Sequence, residues 1–127
     1  GNKFIGNEIN LSEVLETVTK VNASAISRNI SIVGNTAGNS ITSGKGADTI
    51  FAGLGNDTLT GGKGNDIFVY EGGNDIITDY KSGEDQIKLN LADVTKSSVK
   101  GSDVILTTNN GILTVKGMND KVITFVD

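Results

Sequence analysis

Short apolar runs alternate with Gly- and Asn-rich segments along this chain, and in its middle part the alternation repeats every nine residues. Between Ser43 and Thr78, four consecutive segments share the approximate form Gly-Gly-x-Gly-x-Asp-x-apolar-x, and a degenerate copy with Asn39 in the Asp position precedes them. The glycine-rich hexamers predict turns, and the three residues after each predict a short strand whose central side chain points inward. The apolar position holds Ile50, Leu59, Phe68 and Ile77. Two segments should therefore form one winding, so that each loop stacks on the loop eighteen residues later.

The flanking regions predict coverings for the two ends of this stack. Residues 21–33 continue the apolar period without the acidic loops, whereas Leu11 to Val21 fits a helix start and a β-branched strand equally well. After the repeats, four alternating runs separated by turns predict an antiparallel meander over 97–126. The pattern divides the chain into three parts: 1–33, an N-terminal cap and the start of the roll without acidic loops; 34–78, the nonapeptide repeats; and 79–127, a C-terminal capping segment.

The acidic position of the repeat predicts the chemistry. Asp48 should lie over Asp66, and Asp57 over Asp75, at a strand spacing of roughly 4.7–4.9 Å, where like charges repel. Ca²⁺ takes about 6–8 oxygen ligands, so carboxylates and glycine carbonyls of stacked loops could share one ion. The candidate ligands in the repeats are Asp48, Asp57, Asp66, Asp75, Asn39, Gly44, Gly46, Gly53, Gly55, Gly62, Gly64 and Gly73. A metal-free β-solenoid remains the alternative, because Asn and Asp also cap turns.

This nonapeptide resembles the calcium-binding repeat of the RTX family of secreted bacterial proteins. The resemblance implies an all-β, right-handed parallel β-roll that binds calcium and is capped by short antiparallel strands. The run from Ile77 to Leu89 is similar to the segment that follows the last repeats in RTX proteases and lipases, and by position it implies a further calcium at Asp79 and Asp85. Glu84 lies eighteen residues beyond Asp66 and could also approach that ion, whereas the plainer alternative makes these acids turn residues.

Composition narrows the classes of function. The 127 residues are 36% hydrophobic and 5% aromatic, which gives a thin core that an ion would help to stabilise. A net charge of -4 without a basic stripe argues against nucleic acid, and no apolar run reaches the roughly 18 residues of a membrane span. The chain has no Cys and no His, so disulfides, thiolate zinc sites and Ser-His or Cys-His catalysis are excluded. Because every acid recurs in every repeat, none is singled out as a catalytic residue, and we expect no enzymatic activity.

These observations predict a calcium-triggered folding module within a larger secreted protein. Its expected partners are calcium ions, the upstream domains of the parent protein and the type I secretion machinery, since the apolar tail at 122–127 is similar to the tails of type I substrates. The expected location is extracellular or on the cell surface of a bacterium. The alternative of a different class is an adhesive or carbohydrate-binding module, which would need a flat face with aromatic residues or a basic stripe.

Overall fold

The fold is all-β and is built from windings stacked in parallel, as a computed structural model shows for residues 3–5, 8–10, 19–118 and 120–126. Most strands are three residues long, which matches the three residues left between the turns of each nonapeptide. The strands are β1 Lys3–Ile5, β2 Glu8–Asn10, β3 Lys20–Asn22, β4 Ser31–Val33, β5 Ser40–Thr42, β6 Thr49–Phe51, β7 Thr58–Thr60, β8 Ile67–Val69, β9 Asp75–Ile77, β10 Gln86–Lys88, β11 Val94–Lys100, β12 Asp103–Thr108, β13 Gly111–Val115 and β14 Phe125–Val126, with a 3₁₀ turn at Leu91–Asp93. The predicted parallel β-roll is confirmed.

Alternate strands of the repeats belong to opposite sheets. The first sheet has the order β1-β2-β4-β6-β8-β10-β14, and the second has the order β11-β12-β13-β9-β7-β5-β3. Parallel pairing joins β4 to β6 and β6 to β8 with Ile32, Ile50 and Phe68 in register. It joins β5 to β7 and β7 to β9 with Ile41, Leu59 and Ile77 in register. Each register step is eighteen residues, so two nonapeptides form one winding, as the sequence predicts.

The core is a narrow double column of apolar side chains between the two sheets. In most strands of the repeats the central residue is buried and its two neighbours are more exposed, as in β6, where only Ile50 is fully buried. Phe68 is the largest fully buried side chain. Beyond β9 the column continues through Ile87, Leu113 and Val115. Because one residue in nine supplies the centre of the core, the folded state depends on other interactions in the loops.

The C-terminal region covers the last winding, although not entirely as predicted. β11, β12 and β13 form the expected antiparallel meander, and β13 then adds in parallel to β9. The prediction of a fourth antiparallel strand was wrong, because β14 returns to the first sheet and pairs in parallel with β10. This return has a physical reason: it gives the amides of Ile87 and Leu89 at the open edge of β10 their acceptors, the carbonyls of Thr124 and Val126.

The N-terminal strands cover the opposite end of the first sheet. β2 pairs in parallel with β4, and β1 pairs antiparallel with β2. The sequence of Leu11 to Val21 fits either a helix or a strand. Of this segment, Lys20 and Val21 lie in β3, and residues 11–18 lie outside the described part of the chain. Across the described residues, no helix has the length and apolar character required to cross a membrane.

The Tyr80 hydroxyl joins the last repeat to the returning C-terminal segment. It donates to the carbonyl oxygen of Asp85 at 2.6 Å and accepts from the amide of Thr124 at 2.8 Å, and the side chain is buried. Tyr80→Phe removes both bonds, and we expect it to lower the free energy of unfolding by about 1–3 kcal/mol in denaturant titrations with calcium present. Thr95→Val is the control, because the exposed Thr95 hydroxyl makes one bond at 3.2 Å and its loss should change stability by less than about 0.5 kcal/mol. Equal effects of the two variants would contradict the assigned role of Tyr80.

Candidate metal site

The loops between the strands stack into two columns, one along each edge of the roll. The first loop column contains residues 43–48, 61–66 and 79–85, and the second contains residues 34–39, 52–57 and 70–75. Within each column, a loop lies directly over the loop of the preceding winding. The carbonyl oxygens of Gly44 and Gly46, for example, face Gly62 and Gly64 so closely that a Cβ atom on either later glycine would collide with them.

A ladder of hydrogen bonds between amides and carboxylates runs along the first loop column. The amide of Ile30 donates to Oδ1 of Asp48 at 3.0 Å, and the amide of Asp48 donates to Oδ1 of Asp66 at 3.0 Å. The amide of Asp66 then donates to Oδ1 of Asp85 at 2.9 Å. Each aspartate therefore contacts the backbone of the aspartate, or its counterpart, one winding earlier. The sequence predicts the stacking of Asp48 on Asp66, and this stacking is confirmed.

The second loop column repeats this arrangement. The amide of Asn39 donates to Oδ1 of Asp57 at 2.7 Å, and the amide of Asp57 donates to Oδ1 of Asp75 at 2.8 Å. Asn39 occupies the aspartate position of its loop and is buried, and its own Oδ1 accepts from the amide of Asn35. The predicted stacking of Asp57 on Asp75 is therefore also present.

In the part of the chain that the structure describes, three buried carboxylate oxygens have no hydrogen-bond donor. They are the Oδ2 atoms of Asp57, Asp66 and Asp75, and these side chains are at most 1% exposed. A buried ionised oxygen without a partner is costly, which makes each of these atoms a candidate for a cation. The atoms available as metal ligands are oxygens, which Ca²⁺ prefers. The residues present therefore fit the ion that the repeat pattern predicts.

Burial raises the pKa of these carboxyl groups. The pKa of Asp57 rises from 3.8 to about 6, and those of Asp66 and Asp75 rise to about 8. Desolvation is the largest cause in all three, and the charge of Asp57 beneath Asp75 raises the pKa of Asp75 further. Repulsion between the stacked acids is therefore a smaller effect on these pKa values than the removal of water from each acid.

Asp48 differs from the other aspartates because its second oxygen is already occupied. Oδ2 of Asp48 accepts from the Ser43 hydroxyl at 2.7 Å and from the Gly44 amide at 3.0 Å. In the next two repeats the position of Ser43 holds Ala52 and Gly61, which have no hydroxyl group. The contribution of Ser43 was not predicted, although a serine at the position that holds Ala52 and Gly61 in the next two repeats was a usable signal.

Asp79 and Asp85 have their carboxylates occupied by backbone amides. Asp79 accepts from the amides of Gly61 and Gly62, each at 2.9 Å. Asp85 uses its Oδ1 in the ladder, and its Oδ2 accepts from the Lys81 amide at 2.8 Å. Because the last loop has one extra residue, Asp85 rather than Glu84 stands over Asp66. Glu84 instead forms an exposed ion pair with Lys81 at 2.9 Å.

The loop glycines surround these carboxylates with backbone atoms. Gly53 and Gly55 lie over Asn35 and Ala37, and Gly73 lies over Gly55. Among the described residues, no three acidic side chains converge as a metal-binding group. Any ion in the loops must therefore take most of its oxygens from the backbone, which is the role that the sequence assigns to Gly44, Gly46, Gly53, Gly55, Gly62, Gly64 and Gly73.

The raised pKa values make the stability of the calcium-free fold depend on pH. Because the folded-state pKa values of Asp57, Asp66 and Asp75 lie above 3.8, folding favours their protonated forms. The corresponding stability is fully present below pH 3.8 and is lost as the pH rises from there through about 6 to about 8. We expect calcium-stripped protein to gain β-structure by far-UV circular dichroism as the pH falls from above 8 to below 6. Loss of β-structure over that range would contradict the assigned burial of these acids.

Comparison with known proteins agrees with this geometry. The family described as the RTX calcium-binding nonapeptide repeat matches the chain in 4 copies, over residues 31–59 and 42–77. Among solved structures, the chain is similar to the solution structure of the AlgE6R3 subunit from the Azotobacter vinelandii mannuronan C5-epimerase. That likeness has a TM-score of 0.61 and 18% identity, and it covers 91% of this chain and 82% of the other. At this identity the likeness establishes the fold alone. None of the curated proteins matches this chain.

Proposed function

Since residues 31–77 of this chain belong to the RTX family of calcium-binding nonapeptide repeats, we propose that the chain is a calcium-triggered folding module of a larger secreted protein. RTX repeats bind calcium, and their β-rolls are typically non-catalytic. The observation that supports the proposal is the set of three buried carboxylate oxygens without donors, on Asp57, Asp66 and Asp75. Bound calcium supplies the positive charge that these oxygens lack.

Each group of residues has a distinct part in this proposal. The free oxygens of Asp57, Asp66 and Asp75 hold the ions, together with carbonyls of the stacked glycines. Asn39 and Asp48 lie at the start of the two acidic columns, where donors from their own loops satisfy their side chains. At the other end, Asp79 and Asp85 hold the last loop through backbone amides, and we assign them this structural part in addition to the calcium contact that the family resemblance implies.

Folding and ion binding are coupled because the sites exist only in the stacked loops. The ladder joins each aspartate to the winding before it, so no site is complete until two windings are in register. Calcium binding then stabilises the folded state by mass action, and contacts between neighbouring windings make the transition cooperative. Extracellular calcium modules bind in the range of roughly 10⁻⁴–10⁻³ M, so the chain would stay unfolded during export and would fold outside the cell.

The experiment is a calcium titration of calcium-stripped protein, followed by far-UV circular dichroism. We expect a coil-like spectrum at neutral pH and a cooperative gain of β-structure at about 10⁻⁴–10⁻³ M calcium. Magnesium at the same concentration should act weakly, because it demands a tighter octahedral site. A β-rich spectrum in chelator that calcium leaves unchanged would rule out the proposal.

Carbohydrate binding is the second candidate function. The AlgE6R3 subunit, whose fold this chain shares, comes from an enzyme that is named for its action on mannuronan. No large aromatic side chain is exposed among the residues whose burial is described, so a stacking platform for sugars is not available there. Recognition of a carbohydrate by this chain would therefore have to rely on hydrogen bonds and charge.

A further inference from the structure

The outer face of the first sheet carries a stripe of apolar side chains. Val33, Phe51 and Val69 occupy the last position of β4, β6 and β8 and pair in register. They point away from the core, because the central residue of each strand is the buried one. Ile67, at the first position of β8, points outward beside Val69. We call Val33, Phe51, Ile67 and Val69 the apolar stripe.

The strands of the roll do not require apolar residues at these outward positions. In the second sheet the equivalent position holds Thr42 in β5 and Thr60 in β7, and Thr78 directly follows β9. Those strands stack in the same parallel register. The side chains of the apolar stripe are partly exposed and lie outside the apolar core. A contiguous apolar surface that the fold does not need is typical of a contact site.

The charges of this face stand at its two ends. Glu8 lies in β2, in register with Ser31 of β4, and Lys88 lies in β10, in register with Val69 of β8. Both charged side chains are exposed. Between them, the outward positions of β4, β6 and β8 hold no charged residue. The face is therefore acidic at one end, basic at the other and apolar between them.

We propose that the apolar stripe is the contact surface of a homodimer in which two rolls pack face to face. A twofold axis parallel to the strands and passing Phe51 reverses the order of the windings in the second copy. Phe51 then meets its own counterpart, and Val33 lies against the partner's Val69. Because β2 and β10 are each two strands away from β6, the same axis brings Lys88 onto the partner's β2, which carries Glu8. The surface is thus self-complementary, as a twofold interface requires.

The charge pattern favours a second copy over a lipid surface. Anionic headgroups would attract Lys88 but repel Glu8, whereas the twofold arrangement pairs these opposite charges at both ends of the contact. Most strands of the face are three residues long, so the contact belongs to the small and reversible class of interfaces. The dimer forms from folded rolls, and this inference therefore rests on the proposed calcium-dependent folding.

Sedimentation velocity of calcium-loaded protein over a concentration series tests this proposal. We expect a monomer–dimer equilibrium in the wild type. Phe51→Thr, which gives β6 the residue that β7 has at Thr60, should raise the dissociation constant of the dimer at least about tenfold, since two phenylalanine side chains leave the contact. Leu54→Thr is the matched control, because Leu54 is an apolar side chain, 57% exposed, in a loop outside this face. It should leave the dissociation constant unchanged.

Reversal of the end charges tests the twofold arrangement itself. Lys88→Glu places two acids together at each end of the contact and should raise the dissociation constant at least about threefold at low salt. The double variant Glu8→Lys/Lys88→Glu restores opposite charges and should recover most of the wild-type affinity. If the double variant dimerises no better than Lys88→Glu, the twofold arrangement is wrong.

Circular dichroism of each variant with calcium separates loss of folding from loss of the dimer. A wild-type protein that calcium fails to fold would contradict both proposals. A folded wild-type protein that stays monomeric up to about 1 mM would contradict the dimer alone. Equal weakening by Phe51→Thr and Leu54→Thr would show that association does not use the apolar stripe. Binding of a folded, monomeric protein to phosphatidylcholine vesicles, lost in Phe51→Thr, would assign the stripe to a lipid surface and overturn the choice of partner.

Discussion

Asp66→Asn should remove one calcium site while making the calcium-free roll easier to fold. The asparagine side chain keeps an oxygen as acceptor for the Asp48 amide, but it replaces the donor-free Oδ2 with a neutral amide group. Because burial raises the pKa of Asp66 to about 8, removing this acid also removes a cost of folding without calcium.

The expected loss of calcium-dependent stability follows from the coupling between calcium binding and folding. With dissociation constants of about 10⁻⁴–10⁻³ M, one site contributes about 1.4–2.7 kcal/mol at about 10 mM calcium. The difference in unfolding free energy between calcium and chelator should fall by about that amount in Asp66→Asn. In chelator, the variant should need less stabilising osmolyte than the wild type to fold. Denaturant and osmolyte titrations followed by circular dichroism measure both quantities.

Asp48→Asn is the matched control in the same column. Oδ2 of Asp48 accepts from the Ser43 hydroxyl and the Gly44 amide, and an amide nitrogen in its place cannot accept. This variant should therefore lose about 1–3 kcal/mol with or without calcium, and its calcium-dependent stability should change little. If Asp48→Asn and Asp66→Asn lost the same calcium-dependent stability, the donor-free oxygens would not be the distinguishing feature of the sites.

Gly73→Ala should prevent the last two loops of the second loop column from stacking. Gly73 has φ of +80° and lies so close to the carbonyl oxygen of Gly55 that a Cβ atom would collide with backbone. The left-handed conformation costs a non-glycine residue about 1–2 kcal/mol, and overpacking adds about 1–3 kcal/mol. We expect a total loss of about 2–5 kcal/mol in the unfolding free energy with calcium present, and a higher calcium concentration at the folding midpoint.

Gly83→Ala separates the cost of the left-handed conformation from the cost of overpacking. Gly83 has nearly the same φ, +82°, but no atom lies within 4 Å of the Cβ position. Its substitution should therefore cost only the conformational penalty of about 1–2 kcal/mol. Equal losses for Gly73→Ala and Gly83→Ala would show that the close approach of the stacked loops is not a constraint on folding.

The sequence predicts the windings because the nine-residue repeat of apolar positions in the sequence is also the repeat of the strands in the fold. Ile50, Leu59 and Phe68 lie nine residues apart, and only stacked windings bury all three. The antiparallel β11–β13 region was also predictable, since the run Asn109-Asn110-Gly111 predicts a hairpin, and Asn109 and Asn110 form the turn between β12 and β13. The return of β14 to the first sheet was not predictable from the sequence. An alternating apolar run can pair in either direction, and here the unpaired edge of β10 determines that β14 pairs in parallel.

The sequence predicts which residues form the candidate site, but it does not predict most of their hydrogen bonds. Spacing alone places Asp57 over Asp75, but it does not reveal that the amide of Asp57 takes one oxygen of Asp75 and leaves the other without a donor. The extra residue in the 79–85 loop likewise places Asp85 over Asp66, and not Glu84, which lies eighteen residues beyond Asp66. Such details depend on backbone placement in three dimensions.

The central claim is that calcium ions contact the donor-free oxygens of Asp57, Asp66 and Asp75. Anomalous diffraction from a crystal grown with millimolar calcium tests it most directly. We expect anomalous peaks within both loop columns, each in contact with at least one of these Oδ2 atoms. Loops of the same stacked structure without such peaks, under the same conditions, would contradict the claim.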